Sequence, residues 1–334
     1  MQNFFRRKVF LSLGILVALL VSTCISYAQT TVTDSASKGP DTVKTGIYIT
    51  SIHNIDFKEK EYAITFWLWL KYANRKFDFL NNLEIPGAKT MSRSFATIDS
   101  SGALVYVLMK MQCVMKDSWK INNFPFDKQK LHLSIENSQF DSKALVFAPD
   151  TFGKHFDPRF TLRGWDIDSL TVKAGTKIYE TTFGDTSIKQ PRSTYGNFKV
   201  TILIDRSAMG LFWKMFLGMY VAFLIAYMCF YIHADSIDSR FGLSVGALFA
   251  VVGNKYIIDS ALPESSSFTL VDMLHGITLF CILVVIVCTA YSLKLVKDGK
   301  EAAARRFDMT TAQLLLAAYV LVNIYFIWQA TLGN

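Results

Sequence analysis

Between residues 43 and 206 apolar and polar positions alternate in short runs. Leu131, Leu133 and Ile135 are interleaved with His132, Ser134 and Glu136. Phe198, Val200, Ile202 and Ile204 alternate with Lys199, Thr201 and Asp205. A period of two predicts strands that bury one face. Residues 62–72 are dense in β-formers and aromatics, among them Phe66, Trp67 and Trp69. Asn-Asn, Pro-Gly and Asp-Ser pairs break these runs, and several short strands joined by turns predict an all-β, immunoglobulin-like sandwich over 43–206. After Arg206 the pattern changes to four long apolar runs, at about 211–232, 241–262, 269–293 and 310–330. Each is close to the ~20 residues that a helix needs to cross a bilayer. The expected fold class is therefore mixed: an extracellular all-β sandwich followed by a four-helix transmembrane bundle over 207–334.

The first residues read as an address. Arg6, Arg7 and Lys8 precede an apolar stretch at 9–21, and Ser26-Tyr27-Ala28 offers small residues for cleavage, which predicts a signal peptide over 1–28. An uncleaved anchor is the alternative, disfavoured because the apolar run is short for a span. A lipid attachment at Cys24 is weaker still, because the preceding Thr23 is large for that role. Residues 29–42, rich in Thr, Ser and Asp and containing Gly39-Pro40, read as a flexible leader.

Charge adds orientation. With 35 Lys and Arg against 27 Asp and Glu the chain carries +8, yet the cations form no single run or stripe, which argues against nucleic acid as a partner. The link after the third run carries Lys294, Lys297, Lys300, Arg305 and Arg306, the link after the first carries Arg240, and the middle link carries only Glu264. Basic links belong in the cytoplasm. That places the β-domain and the C-terminus on the outer, periplasmic side of a multi-pass cell-membrane protein, in agreement with a cleaved signal. Of five cysteines only Cys113 lies in the mature β-domain, so that domain has no internal disulfide. No His/Cys cluster has metal-ligand spacing, and neither a metal nor another cofactor is expected.

The second apolar run carries candidate chemistry. Gly242, Gly246, Phe249, Gly253 and Tyr256 recur at steps of three and four and so share one helical stripe. Gly242-x-x-x-Gly246 is equally a helix-packing motif. Lys255 and Asp259, four apart, read as a mutual salt bridge in preference to an ion site. Asp272 and His275, three apart on the third run, read as interhelical hydrogen-bonding groups, with pH sensing the lesser reading. Gly242-Leu243-Ser244-Val245-Gly246 matches a nucleophile elbow, but it lies within an apolar span with no partner histidine, and no catalytic constellation is present. The chain does not read as an enzyme.

Between the predicted strands sits Asn123-Phe124-Pro125-Phe126-Asp127-Lys128-Gln129. By itself it is a turn in which Pro fixes the bend and Asp accepts hydrogen bonds. Mid-domain in a sandwich that precedes four spans, it resembles the signature loop of the pentameric ligand-gated ion channels, the Cys-loop receptor family. Gly164-Trp165-Asp166-Ile167 is similar to a segment of the prokaryotic members, and Ala261-Leu262-Pro263 to the exit of the family's second helix. Leu131 and Asp117 stand where eukaryotic members carry paired cysteines, and the last link is short, so the resemblance is to the prokaryotic branch. Gly218 stands where the first span usually has a proline, and Ser207 and Ala208 replace aromatics.

The resemblance implies a homopentameric neurotransmitter-receptor-like channel subunit, gated by an unknown small ligand or by protons, embedded in a lipid bilayer and passing ions, with cations the expected class. It implies that the second span lines the pore: counting back from Pro263 puts Asp238 at the inner mouth, where a ring of carboxylates attracts cations, and makes Phe249 a ring able to close by dewetting. It implies coupling between the domains through Phe124, Pro125, Phe126, Asp127, Arg206 and Pro263, with Asp127 paired to Arg206. It implies a ligand site between subunits under the 184–196 loop, with Glu136, Phe140 and Tyr195 as candidates and sandwich surface or core as the alternative. A non-conducting membrane sensor or scaffold that retains the channel fold is the second reading, motivated by the glycines of the second span.

Overall fold

The computed structural model describes residues 39–159, 161–186 and 190–332. The expected signal peptide, and the expected leader as far as residue 38, lie outside the described residues. Among them, nine strands make two sheets: β1 (Asp41–Asp56), β2 (Glu61–Tyr72), β3 (Leu83–Glu84), β4 (Ala88–Asp99), β5 (Val105–Lys116), β6 (Lys128–Asn137), β7 (Leu145–Pro149), β8 (Trp165–Tyr179) and β9 (Ser193–Arg206), with a short helix α1 (Phe79–Asn82) before β3. One sheet has the order β4-β5-β2-β1-β7 and the other β3-β6-β9-β8. The leader expected to reach residue 42 ends sooner, because Asp41 and Thr42 already pair in parallel with Leu145 and Val146 of β7.

The alternating runs are the inner faces. In β2, Tyr62, Ile64, Phe66, Leu68 and Leu70 are buried between less buried neighbours, and β5, β6 and β9 repeat the rhythm. These faces meet in one apolar core that includes Leu133, Ile135, Phe198 and Val200. Burying a side chain such as Phe66 or Phe198 contributes about 1.5–3 kcal/mol. Tyr62 satisfies its buried hydroxyl by donating to the His132 carbonyl at 2.7 Å. At one edge β4 stays almost wholly exposed. It bulges between Ala88 and Thr90 and again between Arg93 and Phe95, and leaves Met91, Phe95 and Ile98 uncovered.

Four helices follow: α2 (Ala208–Tyr227), continued by a 3-10 turn Met228–Tyr231, then α3 (Ile237–Ala261), α4 (Leu270–Lys297) and α5 (Glu301–Leu332). All four are long and apolar enough to cross a membrane. At 1.5 Å per residue, α3 alone spans about 37 Å, more than the hydrocarbon thickness of about 30 Å. The spans exceed the expected runs because helix geometry does not stop where apolarity does. The link expected at 294–308 shrinks to Asp298–Lys300, and α5 starts at Glu301 with its charged residues already helical. The chain thus joins a β-sandwich to four candidate transmembrane helices, as expected from the sequence.

Candidate functional site

The junction between sandwich and helices is built from the signature loop and the last strand. Backbone hydrogen bonds from Phe124 to Ile121 (3.1 Å) and from Phe126 to Asn123 (2.8 Å) fold the loop, whose Phe124–Pro125 bond is cis. Phe124 and Phe126 are buried against the first and third spans, with the Phe126 ring tilted against that of Phe212 at 5.5 Å. Gln129 fastens the loop's base: its amide accepts from the Lys120 N–H at 3.1 Å, donates to the Lys120 carbonyl at 2.7 Å and donates to Asp127 at 2.6 Å. The Leu270 N–H that opens α4 donates to the Asn122 carbonyl at 2.8 Å. Leu262, next to Pro263, packs in the same apolar cluster as Phe124 and Phe126.

Asp127 and Arg206 meet as expected from the resemblance. Arg206 Nε donates to Oδ1 at 2.7 Å and Nη2 to Oδ2 at 3.2 Å, and both side chains are almost fully buried. Three rings enclose the guanidinium, Trp165 at 3.9 Å, Phe57 at 4.7 Å and Phe124 at 4.8 Å, of which Phe57 carries no signal in the sequence. Antiparallel register sets Trp165 opposite Arg206, which is the physical use of the Gly164-Trp165 segment. Gly164 sits at φ +78° and turns its carbonyl to accept the Ser207 N–H at 3.0 Å. Ser207, in place of an aromatic, bonds Asp166 at 3.2 Å. A cavity of 460 Å³ opens beside this cage, lined by Phe57, Phe124, Arg206, Met215, Ile258 and Leu262 among others.

Helix α3 packs on its neighbours by one seam, Arg240, Ser244, Ala247, Val251 and Ile258. Asp238, Gly242, Gly246, Phe249, Gly253 and Tyr256 are all exposed. At about 100° per residue their mean direction lies about 180° from the seam. A Cβ at Gly242, Gly246 or Gly253 would meet no atom within 4 Å. The x-x-x spaced glycines therefore face away from this chain's own bundle.

Arg240 departs from expectation. Expected as a charge of the first link, it lies inside α3 and is 2% exposed. Its Nη2 pairs with Asp308 of α5 at 2.7 Å, and its Nε donates to the Ile232 carbonyl at 3.1 Å. An internal ion pair removes Arg240 from the link charges that orient the chain.

At the other end of α3, Lys255 bonds Asp259 at 2.5 Å and also Asp272 of α4 at 2.8 Å. Asp272 closes a capping box with Thr269. His275 does not pair with Asp272; its ring bonds Asn254 of α3 at 2.9 Å and the Val271 carbonyl at 2.8 Å. α2 runs unbroken through Gly218, where a Cβ would make ordinary van der Waals contact with Asn254 Nδ2, at 3.4 Å, so space alone does not require a glycine.

In the sandwich, the three ligand candidates do not converge. Glu136 is buried and already accepts from Tyr179 at 2.9 Å and Asn197 at 2.6 Å. Phe140 packs on Phe77 at 4.8 Å. Tyr195 joins a triangle with Tyr179 (5.9 Å) and Phe183 (6.2 Å). Tyr179 thus links Glu136 to the aromatic group, a part that sequence reasoning missed although β8 and β9 visibly flank one loop. Burial, then its bond to Glu136, pushes the Tyr179 phenol well above its ordinary pKa. Among the described residues no group of His, Cys, Asp or Glu is placed to hold a metal.

The exit strand of the sandwich is thus locked to a loop that packs on helices long and apolar enough to cross a membrane. The chain matches no family model. It is similar to a proton-gated ion channel of Gloeobacter violaceus, 22% identical over 310 residues, covering 85% of this chain and 82% of that protein. Neither the sandwich nor the helices alone could supply that share, so the similarity runs through both. Element order and similarity together fit a ligand-gated channel subunit.

Proposed function

We propose that the chain is one subunit of a homopentameric, cation-selective channel opened by a small ligand or by protons, with α3 as its pore wall. The carrying observation is the stripe from Asp238 to Tyr256, which faces away from the seam by which α3 packs on its own subunit. A helix buried on one side and carrying a carboxylate, glycines and two aromatics on the other needs a second environment for that face, and a water-filled axis shared by symmetric copies supplies it. The uncovered edge of β4, with Met91, Phe95 and Ile98, supports a neighbouring copy as the partner. The Gloeobacter relative supports protons as a stimulus. The β-domain and the C-terminus lie on the periplasmic side in this reading, on the strength of Lys294, Lys297 and Lys300. Asp127, Arg206, Phe124, Pro125, Phe126 and Pro263 transmit between the domains, and the Tyr179–Phe183–Tyr195 cluster beside Glu136 is the candidate ligand site.

A non-conducting sensor or scaffold is the second reading, favoured by the three glycines, which put no polar side chain on the stripe and pack readily against another helix. Single cysteines at Gly242, Gly246, Phe249, Gly253 and Tyr256, with control cysteines at Ala247 and Val251, separate the two. Labelling of that stripe by a charged aqueous thiol reagent, with Ala247 and Val251 protected, supports the pore. Uniform protection along α3 contradicts it.

A further inference from the structure

At the helix ends farthest from the sandwich, one buried ion pair draws on all four membrane elements. Arg240 of α3 and Asp308 of α5 are 2% and 3% exposed. Asp308 Oδ2 accepts from Arg240 Nη2 at 2.7 Å and from the Ser292 hydroxyl of α4 at 2.9 Å. Arg240 Nε and Nη2 both donate to the carbonyl of Ile232, just after the 3-10 turn that ends the first span. Arg240 Nη1 and Asp308 Oδ1 find no partner among the described residues. Desolvating two charges is expensive, and an apolar pair of the same volume often folds as well. Stability alone is therefore a poor reason for this pair.

Its position supplies a better one. Arg240 is two residues from Asp238, which lies exposed in the first turn of α3. Two residues are about 200° around a helix, so the carboxylate and the guanidinium leave opposite faces at one level. We infer that Asp308 is a positioning residue for the ion pathway: it holds Arg240 inside the subunit's own bundle, so that Asp238 is the charge α3 presents at the mouth. This rests on the pore reading above. Without the Asp308 carboxylate, a buried unpaired guanidinium is unfavourable, and its long stem lets it reach the nearby aqueous end. Each subunit then adds one positive charge beside Asp238.

The test uses the full-length protein reconstituted in bilayers, with reversal potentials measured in a KCl gradient. Asp308→Asn is expected to lower the K⁺/Cl⁻ permeability ratio about tenfold or more. Asp308→Glu is expected to keep it, and Asp308→Asn combined with Arg240→Gln to restore it. A purely architectural role would reduce the amount of folded protein and leave the ratio unmoved in every variant, which overturns the proposal. A thermal-unfolding cycle on Arg240→Gln, Asp308→Asn and the double variant gives a readout that needs no current. The double variant is expected to melt no lower than the worse single one, whereas additive losses overturn the pairing and the proposal with it. A coupled cycle in a folded protein that passes no current overturns the pore reading, and the proposal falls with that reading.

Discussion

Arg206 closes a two-point contact on Asp127 across 79 residues of sequence. One partner ends the last strand of the sandwich and the other ends the loop that rests on the helices. The pair is nearly sealed from solvent, and Trp165, Phe57 and Phe124 cover the guanidinium. A planar fork meets a carboxylate with two parallel bonds while its faces stack on rings, a combination that lysine does not offer.

Removing either partner leaves the other charge buried. Arg206→Ala is expected to lower stability by about 3–5 kcal/mol, read as a loss of the unfolding midpoint in detergent. Arg206→Lys keeps the charge but loses both the second bond and the stacking, and is expected to recover only a minor part of that loss. Full recovery by lysine would mean that the rings and the bidentate geometry contribute little.

The edge of the sandwich carries a pH dependence of stated sign. Asp150 accepts from Trp69 Nε1 at 3.1 Å and from the Phe152 N–H at 3.4 Å, and Lys44 lies 3.5 Å away. These contacts, the Trp69 bond first, hold its carboxyl below the usual range. A depressed folded value means stability that is present above the unfolded pKa of about 3.9, and that is lost as pH falls through the folded value. The unfolding midpoint is expected to drop on acidification below that point, and Trp69→Phe to flatten the drop. Gly46→Ala should act on the same contact, since a Cβ there would overlap the Trp69 ring. Equal acid sensitivity in wild type and Trp69→Phe would remove Asp150 from the explanation.

Cys113 is the thiol of the β-domain, while Cys229, Cys281 and Cys288 lie in the helical part. It is buried in β5, and burial pushes its thiol up to about 12. The thiolate is the reactive form, so the native β-domain is expected to resist thiol reagents at neutral pH and to label after denaturation. Rapid labelling of Cys113 in the native state would show that the sandwich opens locally.

The period-two runs and the apolar runs were legible because burial imposes them residue by residue. Leu133 and Phe198 went where alternation put them. The Asp127–Arg206 pair was legible through the resemblance alone. What stayed hidden depends on register and packing between elements distant in sequence. Nothing near Arg206 announces Phe57 or Trp165; strand pairing brings them there. Arg240 looked like a link charge because its partner Asp308 lies 68 residues away, in a stretch whose charges mask its helical character. Glu136, a ligand candidate by resemblance, is occupied by Tyr179 and Asn197, and Tyr179 became visible only once β8 lay beside β9.

The central claim is that α3 walls an ion pathway with Asp238 at its mouth. The measurement that tests it most directly is the current through reconstituted protein in a planar bilayer, scanned across pH, with Asp238→Ala alongside. The account predicts stimulus-dependent, cation-selective currents in the wild type and a marked loss of cation selectivity or conductance in Asp238→Ala. Folded, pentameric protein that stays silent under every pH and ligand tried, or conducts identically without Asp238, would contradict it.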